Sequence, residues 1–199
     1  MKHMSNGLPR AIGPEEIAYQ GKMIEVVHQR MQEGAKERTY EWARRAPGVR
    51  LIILQGEGIL LSREYRPALQ GWDLRLPGGK VFDSLVEYND FIASRKDILS
   101  AAAAAARKEA LEEVGMEAGE VEHFTTSPCG AMMEWDLFYF IVKNPVPAHR
   151  MPEQGEHIEP VWISLAEAEA ACLKGEIREG RSAAALLQYF YSRKTTGTG

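Results

Sequence analysis

Residues 108–116 read KEALEEVGM, and they close a run that begins with six alanines at 101–106 and Arg107. Alanine has the highest intrinsic helix propensity. Ser100 can cap the first turn, and Gly115 stands where a left-handed C-terminal residue is wanted. The stretch therefore predicts a helix that begins near Ser100 and stops at Gly115. On a helix, residues three and four apart are neighbours. Glu109, Glu112 and Glu113 then share one polar side, while Ala103, Ala106, Ala110 and Val114 form a stripe toward the core. Like charges at this spacing cost only ~0.2–0.5 kcal/mol per pair in water, so a solvated acidic face with Lys108 beside Glu112 is one reading. The segment LRLPGGKV at 74–81 supplies another. A glycine-rich turn leaving a strand can bring exposed backbone to the same carboxylates, and hard divalent cations take clustered carboxylate and carbonyl oxygens together with substrate phosphates.

Outward from this centre the pattern is mostly strand. GKMIEVVHQRM (21–31) and RTYEWARR (38–45) read as a hairpin-like pair across the turn signal QEGAKE. VRLIILQGEGILLSREYR (49–66) reads as two buried strands around Gly56-Glu57-Gly58, and WDLRLPGGKV alternates apolar and polar residues before its Pro-Gly-Gly break. DLFYFIVK and IEPVWISL read as further strands. AEAEAACLKG and REGRSAAALLQYFYSRK read as amphipathic helices.

A chain of 199 residues, 45% hydrophobic and 26% charged, is long and apolar enough to bury one domain's core with an added element. The expected division is an N-terminal extension and strand pair at 1–48, a candidate dimerisation element, followed by a catalytic domain at 49–199. The net charge is -4 with both signs interspersed, which argues against a nucleic-acid partner. Cys129 and Cys172 are the only cysteines; they form neither a disulfide framework nor a zinc cluster. No apolar run has membrane-spanning length and the first residues lack an apolar signal core, so the expected location is cytoplasmic, with no membrane partner.

At this point the chain resembles the Nudix hydrolases, whose box opens on glycine and closes on R-E-U-x-E-E-x-G-U, with U a bulky apolar residue. Gly79 matches the opening glycine, and Glu109, Glu112, Glu113, Gly115 and Met116 match the closing segment in register. Lys108 takes the arginine position and Ala110 a U position. Counted back from the helix, the box's first glutamate falls at Ser100, and the stretch from Lys80 to Leu99 reads as a long loop splitting the motif. Glu87 or Asp90 in that loop is a candidate replacement carboxylate. The resemblance implies an α/β fold, an α/β/α sandwich with a mixed sheet, and hydrolysis of a nucleoside diphosphate derivative with Mg²⁺ or Mn²⁺. It implies Glu109, Glu113 and the Gly78 carbonyl as metal ligands, with Glu112 acting directly or through water.

The flanks are similar to the ADP-ribose pyrophosphatases and their nucleotide-sugar relatives. SREYRPALQGWDLRLPGG (62–79) implies that Arg66 contacts the diphosphate; without the resemblance Arg66 is a surface arginine on an edge strand. SPCGAMMEW (127–135) implies that Glu134 hydrogen-bonds ribose hydroxyls. MPEQGEHIEPVWISLAEA (151–168) implies a loop carrying the general base, Glu153 or Glu156. Tyr40 and Trp42 are candidates to stack on a base, and the resemblance implies a homodimer acting on a small nucleotide substrate. A house-cleaning hydrolase of nucleoside triphosphates or dinucleoside polyphosphates, and a non-catalytic nucleotide-sugar-binding module, remain open alternatives.

Overall fold

Continuous apolar runs form the central strands, which are buried, and glycine-marked turns separate them. In a computed structural model of the protein, residues 8–151, 155 and 157–196 are described. The chain divides into two units: residues up to Pro47 with 82–96 and 128–136, and residues 48–81, 97–127 and 137 onward.

In the first unit the expected hairpin is present as β3 (Ile24–Glu33) and β4 (Lys36–Arg45), in register from Ile24↔Arg45 to Glu33↔Lys36. Gly34, at φ 61°, makes the tight reversal that a side-chain-bearing residue would resist. Three short strands that the sequence pattern does not announce complete the sheet. β1 (Arg10–Ala11) and β2 (Glu16–Gln20) pair antiparallel with β3, and β10 (Met133–Glu134) runs parallel to β4. The stretch expected to be a loop at 80–99 is corrected in part. It contains a helix, α1 (Leu85–Ala93), whose first turn is capped by the Ser84 hydroxyl. Glu87 accepts from the Asp83 N–H at 2.9 Å. That contact gives Glu87 a capping task of its own.

The second unit holds a mixed sheet in the order β13-β6-β5-β11-β9. Its strands are β5 (Gly48–Gln55), β6 (Gly58–Arg66), β9 (Glu120–Ser127), β11 (Leu137–Lys143) and β13 (Ile158–Ser164). β7 (Gly71–Arg75) pairs with β6, and a small ribbon joins β8 (Met116–Glu117) to β12 (Val146–Pro147). β5 and β11 are parallel; the other pairs are antiparallel. Beyond β7 the chain runs on beside β5: Leu51 donates to the Pro77 carbonyl at 2.9 Å and Val49 to that of Gly79 at 3.0 Å. The Pro-Gly-Gly turn is thereby fixed to a central strand.

α2 (Ile98–Val114) covers one face of this sheet, and α3 (Leu165–Lys174) and α4 (Gly180–Thr196) follow β13. Val49, Leu51 and Ile53 of β5 and Phe138, Phe140 and Val142 of β11 pack with Ala102, Ala106, Ala110 and Val114. Alanines let the helix backbone approach the sheet closely. The start of α2 differs from the expectation: Asp97 is the N-cap, accepting from the Leu99 and Ser100 N–H groups, and the Ser100 hydroxyl donates to Asp97. A carboxylate two residues before Leu99 satisfies two orphan donors where Ser100, already inside the helix, satisfies none. Gly115 ends the helix at φ 66°, as expected. Among the described residues no helix is long and apolar enough to cross a membrane.

Candidate active site

A spacing of four residues, close to one helical turn, puts Glu109 and Glu113 on the side of α2 that meets the turn after β7, and at both glycines of that turn a side chain would meet neighbours closely. A Cβ on Gly78 would lie 2.3 Å from the Val49 carbonyl oxygen, and one on Gly79 would lie 2.2 Å from a Glu109 carboxylate oxygen. The Gly78 N–H donates to Glu113 Oε2 at 2.7 Å, and the Gly78 carbonyl accepts from Arg50 Nη1 at 3.2 Å. The acidic face is therefore not uniformly solvated. Glu113 is only 7% exposed, whereas Glu112 pairs with Lys108 at 3.3 Å along the helix surface.

Burial pushes the Glu113 carboxyl up to about 8; the Gly78 N–H and Arg50 pull the other way, and the negative charges of Glu109 and Glu64 add to the rise. Glu64, on β6, is raised chiefly by its own burial, although Arg66 opposes this. It pairs with Arg66 at 2.8 Å and with Arg75 at 3.3 Å. Arg66 thus stands at the end of β6 with its guanidinium on Glu64.

Among the described residues no three His, Cys, Asp or Glu side chains form a ready-made cation cage. The residues that do meet fit a hard dication nonetheless. Their donors are carboxylate oxygens, and an acid whose proton affinity is raised by burial and by neighbouring carboxylates is stabilised as the anion by added positive charge.

In the first unit Trp42 and Glu134 are brought together, the indole N–H donating to Glu134 Oε2 at 3.2 Å. Arg44, absent from the sequence expectation, binds the same oxygen at 2.8 Å and also pairs with Glu15 and the buried Glu25. Its signal was the alternation Tyr40, Trp42, Arg44 along one face of β4. Trp42, Arg44, Met133, Glu134 and Trp135 line a cavity of about 430 Å³. Tyr40 is 42% exposed on the same strand. The base candidates Glu153 and Glu156 lie outside the described residues. Arg50 and Glu64 were also missed, because a single charge inside a strand pattern looks like any other solvent-facing position.

The model of the NUDIX domain matches residues 44–186. The chain belongs to the Nudix family. It is a Nudix hydrolase, and enzymes of this family cleave diphosphate bonds in nucleotide derivatives, generally with a divalent metal ion. A solved structure described as an ADP compounds hydrolase shares the fold, with a TM-score of 0.74 at 18% identity over 96% of this chain and 97% of that one. No protein among the curated ones matches the Nudix chain significantly.

Proposed function

We propose that this Nudix hydrolase cleaves the diphosphate of ADP-ribose or a nucleotide sugar, giving a nucleoside monophosphate and a sugar phosphate. The observation that carries the reading is the meeting of Glu109 and Glu113 with the Gly78–Gly79 turn, a partly buried acidic site on the family's box. The similar solved structure is described as acting on ADP compounds, which favours an adenosine derivative.

In this reading Glu109, Glu113 and the Gly78 carbonyl would hold Mg²⁺ or Mn²⁺, with Glu112 contributing directly or through water. A dication there supplies positive charge to the diphosphate oxygens. Arg66 offers forked donors to the diphosphate once it leaves Glu64. Glu134 accepts from ribose hydroxyls, and Trp42 and Tyr40 give aromatic faces to a base. Glu153 or Glu156 takes the proton from the attacking water. The protein works in the cytoplasm as a homodimer joined through the strands of residues 1–48, with 49–199 as the catalytic domain.

Turnover of ADP-ribose, nucleotide sugars, dinucleoside polyphosphates and nucleoside triphosphates in Mg²⁺ and in Mn²⁺, with product analysis, tests the reading. AMP and ribose phosphate from ADP-ribose are expected. Monophosphate plus pyrophosphate from a triphosphate would point to a house-cleaning hydrolase. Nucleotide-sugar binding without turnover would sink the catalytic assignment.

A further inference from the structure

Arg50 is an expensive residue to place where it is. It sits in β5 between Val49 and Leu51, both fully buried, is itself 6% exposed, and pairs across the sheet with Tyr139. An apolar side chain of similar volume would pack there without the desolvation of a guanidinium, so stability alone gives no reason for a charge. Its contacts give one. Nη1 donates to the Val49 carbonyl at 2.9 Å and to the Gly78 carbonyl at 3.2 Å. On the other side its Nε faces Glu179 Oε2 at 3.6 Å, an ion pair too long for a hydrogen bond. Glu179, just before α4, accepts from the Ser182 hydroxyl and faces Arg181 at 3.6 Å.

The turn needs such a hold at one point. Pro77 and Gly79 are tied to β5 by backbone hydrogen bonds through their carbonyls. Gly78 between them sends its N–H and carbonyl to side chains, Glu113 and Arg50. Gly78 also has φ 140°, a backbone conformation favoured by glycine alone, so side-chain bonds at both ends of the residue limit a chain that is otherwise permissive.

We propose that Arg50 is a positioning residue of the hydrolytic site: anchored by Glu179, its guanidinium clamps the Gly78 carbonyl and so fixes the residue whose N–H orients Glu113. The catalytic half of this statement rests on the function proposed above; the clamp itself does not. Arg50 touches neither substrate nor reacting atoms in this role.

Amide exchange in the metal-free protein, read residue by residue by NMR, tests the clamp independently of activity. In Arg50→Met the Gly78 N–H is expected to exchange at least tenfold faster than in the parent after correction for the change at Ala106, which reports global opening. Arg50→Lys, retaining a donor, should recover part of that protection. Glu179→Gln, which leaves Arg50 in place and removes the charge facing it, should fall between parent and Arg50→Met, and it carries the test if Arg50→Met does not fold. The same variants should weaken Mn²⁺ binding, followed by the loss of the free-ion EPR signal, and lower kcat about tenfold with KM within threefold. Gly78 exchange that rises no more than that of Ala106 in both Arg50→Met and Glu179→Gln would overturn the clamp. Selective loosening of Gly78 in the variants, with a parent that hydrolyses no diphosphate, would support the clamp while removing the proposed function.

Discussion

Glu113 carries two burdens that are seldom combined in one side chain: it is almost out of water, and it receives a backbone N–H from the turn that the family's chemistry requires. Its raised pKa, about 8 through burial first, gives a definite sign to the stability of the metal-free protein. In the unfolded chain the carboxyl ionises near the ordinary value; in the folded chain it keeps its proton to about 8. The folded state therefore binds more protons between these values, and stability falls as pH rises through that window. Urea unfolding at pH 5 and pH 8 in EDTA should show a loss on the order of 1–3 kcal/mol, and Glu113→Gln should flatten it. The same variant keeps the shape and the Gly78 contact yet removes the charge that would hold a dication, so turnover should drop by roughly 10²-fold or more. Activity within twofold of the parent at saturating metal would take Glu113 out of the ligand set. Arg66→Ala belongs beside it: weaker diphosphate binding, seen as a higher KM, with little change in melting temperature because Arg66 is half exposed on Glu64. Unchanged KM and kcat would return Arg66 to an edge-strand surface role.

At the scale of elements, the site is a strand, a glycine turn and a helix locked by close approach, and the two glycines are not equivalent. A methyl group on Gly78 meets backbone, the Val49 carbonyl, in a conformation at φ 140° that other residues avoid; one on Gly79 meets the flexible end of Glu109. Gly78→Ala should destabilise the protein by about 1–3 kcal/mol or more, whereas Gly79→Ala should leave the melting temperature nearly intact and lower activity by displacing Glu109. Equal effects of the two on stability would contradict the contact geometry. The helix, its C-terminal Gly115 and the strands around Gly56–Gly58 were legible because alanine propensity, a left-handed stop and apolar runs bounded by glycine are local signals. The cap was misplaced because Ser100 and Asp97 are both good caps and only the helix start separates them. α1 was hidden inside an apparent loop, since LVEYNDFIA is short and its cap, Ser84, follows an unremarkable stretch. β1, β2 and β10 are too short to show a period. Arg50 and Arg44 owe their roles to partners distant in the chain, which no short window of sequence contains, whereas Glu64 has Arg66 and Arg75 close by and only its burial was hidden.

For the whole molecule, the sheet of the first unit leaves several large apolar side chains in water. Ile17 and Tyr19 on β2 are 46% and 61% exposed, and Ile24 and Tyr40 are exposed on the neighbouring strands. Scattered single exposures are ordinary, but large apolar and aromatic side chains gathered on one small sheet mark interaction surfaces more often than plain solvent faces. Among the described residues β2 pairs with β3 alone, along one edge, and its other edge has no strand beside it. A second copy of the chain would satisfy both features through a two-fold interface, in which the same patch serves both partners. Light scattering at micromolar concentration is therefore expected to give twice the mass of one chain, 22.3 kDa. Ile17→Glu combined with Tyr19→Lys, two exposed positions whose change costs the monomer little, should shift the species to monomer at that concentration while circular dichroism stays the same. If Trp42 and Glu134 act on a nucleoside bound across that interface, the monomeric variant should also show a raised KM for ADP-ribose. A parent that is monomeric from the outset would remove the dimer, and with it any role for the exposed strands in a partner's site.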